Sequence, residues 1–157
     1  MRLSFILAPT MLMCAQLAVA QTIPKADSRR FMEQLQASHI QGNVPDDALF
    51  ARLLQRDLRA YFAGKGFRKA AVSYDLLRRE PTQVGVGYPK FYLWVHVRSH
   101  DGRVTSGAVR VAAVERKRFD VTTFLSAKEI DADPSGVASV FPASLVQEII
   151  KRAAREN

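Results

Sequence analysis

Beyond residue 20 the chain contains no cysteine, since its single cysteine is Cys14. That absence excludes disulfides, thiolate metal sites and thiol catalysis from the rest of the sequence. Histidine is also scarce, with three in the whole chain. His96 and His100 would lie about 13 Å apart on one extended strand, and His39 falls on a different element. The sequence therefore predicts no metal site and no bound cofactor.

Signatures of common catalytic sites are missing as well. There is no Gly-x-Ser-x-Gly turn of the hydrolase type. The Gly-Val-Gly at 85–87 does not lead from a strand into a helix, as a phosphate-binding loop would. Carboxylates are few in the expected strands, and their spacing does not indicate an acid–base pair. We expect no catalytic residues, although a serine–histidine–carboxylate site assembled in space stays open.

Residues 1–20 have the pattern of a secretory signal peptide. Arg2 supplies a positive start, residues 3–17 are mostly apolar, and Ala18-Val19-Ala20 is a small-x-small cleavage site. The expected mature chain begins at Gln21, has no transmembrane segment, and is periplasmic or secreted.

The chain is basic, with 23 Lys and Arg against 15 Asp and Glu and a formal net charge of +8. Loss of Arg2 with the signal peptide would leave a net charge of +7. In an exported protein, this charge favours a protein partner or an anionic polymer of the cell envelope. Nucleic acid is not expected, because export separates the protein from most of it. The alternative is that the charge only maintains solubility.

Periodicity divides the sequence into a lead with a short helix at 21–43 and a single α+β domain at 44–157. Leucine and aromatic residues recur at helical spacing over 45–64, after the capping signal Asn43-Val44-Pro45. The period then changes to two, which predicts strands at 68–79, 90–100, 103–115 and 119–125. Helical signals return at Ser126 and at Pro142. The sequence thus predicts N-terminal helices packed on a curved four-stranded antiparallel sheet, followed by C-terminal helices.

In this order of elements the chain resembles cystatin-like and NTF2-like folds. The resemblance depends on the long 45–64 helix followed by the four strands, and no sequence motif accompanies it. It implies an α+β architecture only, because such folds include inhibitors, binding modules and enzymes.

The strand at 90–100 carries the most unusual pattern. Its alternate residues Phe91, Leu93, Val95 and Val97 form an apolar face, which we expect α-helical residues of 45–64 to cover. The opposite face combines aromatic and basic side chains, which interfaces favour. We predict this face as a partner-binding surface, formed by Tyr92, Trp94, His96, Arg98 and His100. The alternative is that other elements cover Tyr92 and Trp94 as a second core.

A second basic surface follows the polar side of the 45–64 helix. It is a candidate contact for a polyanion or a membrane surface, or else an ordinary solvated helix face. Its residues are Arg52, Arg56, Arg59, Lys65, Arg68 and Lys69.

These observations favour an exported, non-catalytic binding module, of inhibitor or immunity type by fold analogy. The alternative function is a small-molecule-binding protein or an enzyme with a pocket between helix and sheet.

Overall fold

The computed structural model describes residues 25–85 and 87–156. The predicted α+β fold, with helices packed on a four-stranded antiparallel sheet and helices at the C-terminus, is confirmed. The expected signal peptide lies outside the described residues. In chain order the elements are α1 (Lys25–Asn43), α2 (Asp47–Gly64), β1 (Ala71–Leu76), β2 (Lys90–Arg98), β3 (Val104–Val114), β4 (Arg118–Ser126), α3 (Ala127–Ala132), α4 (Ser135–Val140) and α5 (Ala143–Glu156).

The sheet is a simple meander in which each strand pairs with the next, in the order β1-β2-β3-β4. Asp101-Gly102 forms the β2–β3 turn, and Gly102 adopts a φ of 85° there. A left-handed backbone of this kind favours glycine. The β3–β4 pairing contains one irregularity between Arg110 and Val111. At its far end β4 stops at Ser126, opposite Gly107, so β3 extends three residues beyond it.

Helix α2 covers one face of the sheet. It begins at the Asp46 cap, whose side chain accepts a hydrogen bond from the Leu49 amide at 3.0 Å. Its apolar stripe packs on the predicted face of β2, so that prediction is confirmed. The buried members of this first core include Leu53, Leu54, Leu58, Phe62, Phe91, Leu93, Val95 and Val97.

The three C-terminal helices cover the opposite face. Helix α3 begins after Ser126, where a helical signal was predicted, with a capping box in which the Ser126 and Glu129 side chains each accept a hydrogen bond from the other's backbone amide. Helix α5 has a strongly amphipathic pattern, and its apolar residues Leu145, Ile149 and Ala153 are buried. Together with Ile130 and Phe141 they form a second core with residues of β2 and β3. The sheet is therefore a middle layer with helices on both sides.

Helix α1 packs less closely than the others. Its apolar side chains Phe31, Met32 and Leu35 are exposed. Its C-terminal residue Asn43 is buried, and its side-chain Oδ1 accepts a hydrogen bond from the Glu115 backbone amide at 3.1 Å. Over the described part of the chain, no helix is long and apolar enough to span a membrane.

Candidate functional site

The aromatic and basic face of β2 has two parts, one buried in the second core and one exposed. Tyr92 and Trp94 are buried, with Trp94 only 1% exposed, so the expectation that they form a contact surface is wrong. The physical reason is that the apolar stripe of α5 needs a partner, and the sheet face beside Trp94 supplies it. The Tyr92 hydroxyl is also satisfied internally, 2.6 Å from the Thr82 hydroxyl. These two residues belong to the alternative second core.

The other end of the same face is open. His96 and Arg98 are exposed, because α5 packs over Trp94, and its last residue, Glu156, approaches His96 to 3.7 Å without burying it. They line a cleft of about 910 Å³ at this end of the sheet, which we call the sheet-end cleft. His100 is exposed in the β2–β3 turn and does not line the cleft.

Strand pairing places small and hydroxyl side chains around the two basic groups. His96 lies between Ser73 of β1 and Ser106 of β3, and all three line the cleft. Arg98 lies beside Ala71 on its β1 side. Because Ala71 and the serines are short, the longer histidine and arginine side chains are the prominent groups on this floor.

The early end of β4 opens the side of the cleft. Since β4 stops opposite Gly107, the β3 residues 104–106 pair with β2 on one side but have no described strand on their β4 side. Lys128 at the start of α3 lines the cleft there, and Gln55 and Arg59 line it from α2. The sheet-end cleft therefore collects residues from both helical layers and from all four strands.

The charge of the cleft is mainly positive. Arg59, Arg98 and Lys128 line it, and none of them forms a salt bridge with a described carboxylate. Among the described residues of the lining, Glu156 is the single acidic one, with its Oε1 atom 3.7 Å from Nδ1 of His96. Three unpaired cations beside one carboxylate form a site suited to an anion.

Most of the second basic surface does not join this cleft. Arg59 lines it, but Arg56 is directed elsewhere, with Nε 2.7 Å from Asp57 and Nη2 donating to the Lys117 carbonyl at 2.9 Å. The Asp57 carboxylate raises the pKa of the Arg56 guanidinium further. Lys65 lies over the Tyr61 ring, 5.6 Å from its centroid. The remaining predicted residues of this surface are exposed and lie outside the lining, namely Arg52, Arg68 and Lys69.

Several residues of the site were not predicted from the sequence. Ser73, Ser106 and Lys128 were missed, as were Gln55 and Glu156. The Asp101-Gly102 signal alone would not have placed Ser106, because a two-residue turn there would pair His96 with Gly107. The loop has three residues, 100–102, closed by the Ser99 amide donating to the Arg103 carbonyl at 2.8 Å, and this register places Ser106 opposite His96. The others come together only through tertiary packing.

Metal-ligating side chains do not cluster among the described residues. No group of three or more His, Cys, Asp or Glu side chains there could hold a metal ion. The row Ser73–His96–Ser106 beside Glu156 does bring together the residue types of a hydrolytic triad. However, the His96–Glu156 separation of 3.7 Å exceeds hydrogen-bond length.

No protein-family model matches this chain, and neither the curated proteins nor the solved structures contain a significant match. The fold and the cleft therefore define it only as an α+β domain with a basic, open site at one end of its sheet.

Proposed function

We propose that this protein is an exported, non-catalytic binding module that recognises an acidic partner in the sheet-end cleft. The partner presents carboxylate, phosphate or sulfate groups, carried by a protein or by an anionic polymer of the cell envelope. The observation that carries the proposal is the set of cations Arg59, Arg98 and Lys128 around one cleft, none of which has a salt-bridge partner among the described residues. Export is inferred from the signal-peptide pattern of residues 1–20.

The residue types favour recognition of anions over catalysis. Arginine presents a planar fork of donors that matches carboxylate and phosphate oxygens, and lysine adds a mobile point charge. The cleft is open to solvent, which suits a polymer or a protein segment better than a small molecule that must be enclosed. His96, two residues from Arg98 on the same face of β2, can donate a ring N–H to an anion.

The test measures binding of the mature chain to two probes, polyglutamate and dextran sulfate. The double variant Arg98→Gln/Lys128→Gln should weaken binding of both by at least about tenfold, because each charge-assisted hydrogen bond contributes about 1.5–3 kcal/mol. The matched control is Arg29→Gln/Lys117→Gln, which removes the same two charge types from exposed positions outside the cleft. Equal losses in both variants would show that net charge alone binds these probes. Absence of binding to either probe would overturn the proposal.

A second candidate function is hydrolysis, favoured by the position of His96 between two serines and near Glu156. It requires Ser73 or Ser106 to be activated by His96 as a nucleophile. A fluorophosphonate probe tests this directly. Labelling that is lost in Ser73→Ala or Ser106→Ala, and also in His96→Gln, would support a hydrolase, whereas no labelling supports the binding module.

A further inference from the structure

Strand β1 forms an edge of the sheet, and its outer side has no strand beside it among the described residues. It is six residues long and pairs with β2 in a regular register without a bulge. Its sequence, Ala-Val-Ser-Tyr-Asp-Leu, contains no proline, glycine or lysine. Exposed edges usually carry such features to prevent pairing with another chain. β1 therefore has the character of an edge that accepts a strand.

The register shows which backbone groups are available on that edge. The Leu77 amide donates to the Tyr92 carbonyl at 2.9 Å, so the odd-numbered residues of β1 bond to β2. In an antiparallel ladder the alternate residues then turn their amides and carbonyls outward. These residues are Val72, Tyr74 and Leu76. Among the described residues, only the Val72 carbonyl has a partner there, the Gln55 side-chain amide at 3.2 Å.

The two sides of this edge differ in character. On the α2 side, Tyr74 is partly exposed and Leu76 is 38% exposed, so an added strand would find apolar neighbours. On the α5 side, Ala71 and Ser73 are short and exposed, and they lie beside Arg98 and His96 respectively. A strand placed next to β1 would therefore have the two basic side chains within reach across short residues.

Charge on the α5 side is graded along β1. Asp75 lies at the far end, where Nη1 of Arg152 is 3.3 Å from its carboxylate and Arg152 also pairs with Glu148. The cation Arg98 is at the other end, beside Ala71. Acidic residues of an added strand are thus favoured near Ala71.

We propose that β1 binds an extended acidic segment of a protein partner as a fifth strand of the sheet. In this segment, acidic residues alternate with apolar ones: the acidic side chains face Arg98 and His96, and the apolar side chains face Tyr74 and Leu76. The inference rests on the proposed function, and it adds that the acidic ligand is a peptide backbone and not a polysaccharide. The three outward amides and the free carbonyls of Tyr74 and Leu76 could form about five ladder hydrogen bonds that supply affinity, and side-chain alternation would supply specificity.

A second copy of this chain is the main competing occupant of the edge. Two copies would bring Arg59, Arg98 and the other basic groups of the cleft together, and each mature chain carries a net charge of +7. Like charges oppose such pairing, whereas an acidic segment neutralises them. Charge complementarity therefore favours a different, acidic partner.

The first test uses a fluorescein-labelled octapeptide of alternating glutamate and valine, with binding measured by fluorescence anisotropy. Its control is the same peptide methylated on every backbone nitrogen, which keeps all side chains and charges but cannot donate ladder hydrogen bonds. We expect the methylated peptide to bind at least about tenfold more weakly. Equal affinity of the two peptides would overturn strand addition. If both peptides also bind the Arg98→Gln/Lys128→Gln variant more weakly, anion binding in the sheet-end cleft is still supported. Only the addition of a peptide strand to β1 is then refuted.

The second test blocks the edge on the protein. Tyr74→Pro removes an outward amide without removing a β1–β2 hydrogen bond, since edge strands accept proline at such positions. Tyr74→Val loses the same aromatic ring but keeps the amide. The proline variant should bind the octapeptide at least about tenfold more weakly than the valine variant, while the two bind dextran sulfate alike. Equal peptide binding by the two variants would overturn the inference. The inference would also be overturned if the wild type and the valine variant formed concentration-dependent dimers and the proline variant did not. The β1 edge would then bind a second copy of this chain.

Discussion

Trp94→Ala tests whether the sheet is covered on both faces. Trp94 is 1% exposed and belongs to the second core, with Ile149 of α5 among its members. Truncating a buried tryptophan removes apolar contacts and leaves a large cavity, which costs about 3–5 kcal/mol. Single domains have a free energy of unfolding of about 5–15 kcal/mol. The variant should therefore lose a large fraction of its stability, with a melting temperature lower by about 10–15 °C.

The measurement is urea unfolding followed by far-ultraviolet circular dichroism, because Trp94 is the only tryptophan and its removal eliminates intrinsic indole fluorescence. Leu93→Ala is the matched variant, since Leu93 is the adjacent residue of β2 and is fully buried in the first core. It should cost about 2–5 kcal/mol. Arg98→Ala, on the exposed end of the Trp94 face, should change stability by less than about 0.5 kcal/mol.

These variants distinguish whether the Trp94 face of β2 is covered by the C-terminal helices or open to solvent. If both core variants lose several kcal/mol, the layers on both sides of β2 are closed. If Leu93→Ala is destabilised and Trp94→Ala costs less than about 1 kcal/mol, the layer of α3, α4 and α5 does not pack on Trp94 in solution. The aromatic face would then be open, and the contact surface formed by Tyr92, Trp94 and Arg98 would have to be reinstated.

Two further predictions concern the end of β4 beside the cleft. Gly107→Ala should cost about 1–3 kcal/mol in urea unfolding, since its new methyl group would collide with the Leu125 carbonyl, whereas Gly136→Ala has space and should cost less. The Ser126 hydroxyl holds the pKa of Glu129 below its usual 4.5, so the charged carboxylate stabilises the fold above that pH and loses its effect as pH falls through the lowered pKa. Glu129→Gln should therefore be less stable than the wild type by about 0.5–1 kcal/mol near pH 6, and the difference should shrink towards pH 3.

Local periodicity was sufficient to predict the layer between α2 and the sheet. Leucines at helical spacing in α2 and alternation around Leu93 both reflect burial of one side, and each element has one clear apolar side there. The capping box at Ser126 was also readable, because a cap depends on residues three positions apart. Such features follow from neighbours in the chain, which is why the sequence predicts them.

Alternation of side chains along a strand shows which residues share a face but not what covers that face. Tyr92 and Trp94 were therefore predicted in a contact surface, although they belong to a core. Both faces of β2 carry large side chains, and an aromatic face can be an interface or a core. The deciding information lies some fifty residues away, in the apolar stripe of Leu145 and Ile149. Since α2 already occupies one face, an amphipathic C-terminal helix has the other face as its natural partner. Assigning a partner to every apolar stripe would have favoured the second core.

The cleft required pairing information that the sequence holds only in part. Asp101-Gly102 predicts a tight turn between β2 and β3, but a two-residue turn would pair His96 with Gly107, whereas the three-residue loop of the structure pairs it with Ser106. The connection from β1 to β2 is long, and long loops do not specify register, so Ser73 could not be placed. Glu156 reaches the site only because α5 crosses the sheet and ends there.

Helix length explains why one strand contributes to both a core and a site. With 14 residues α5 is about 21 Å long, whereas the nine residues of β2 extend about 30 Å. The helical layer closes the face at Trp94 and ends before Arg98, so the two residues share a face but differ in environment. Stability therefore depends on the first half of this face, and recognition on the second. Substitutions at Arg98 should change binding with little effect on folding, whereas those at Trp94 should affect folding first, although only four residues separate them.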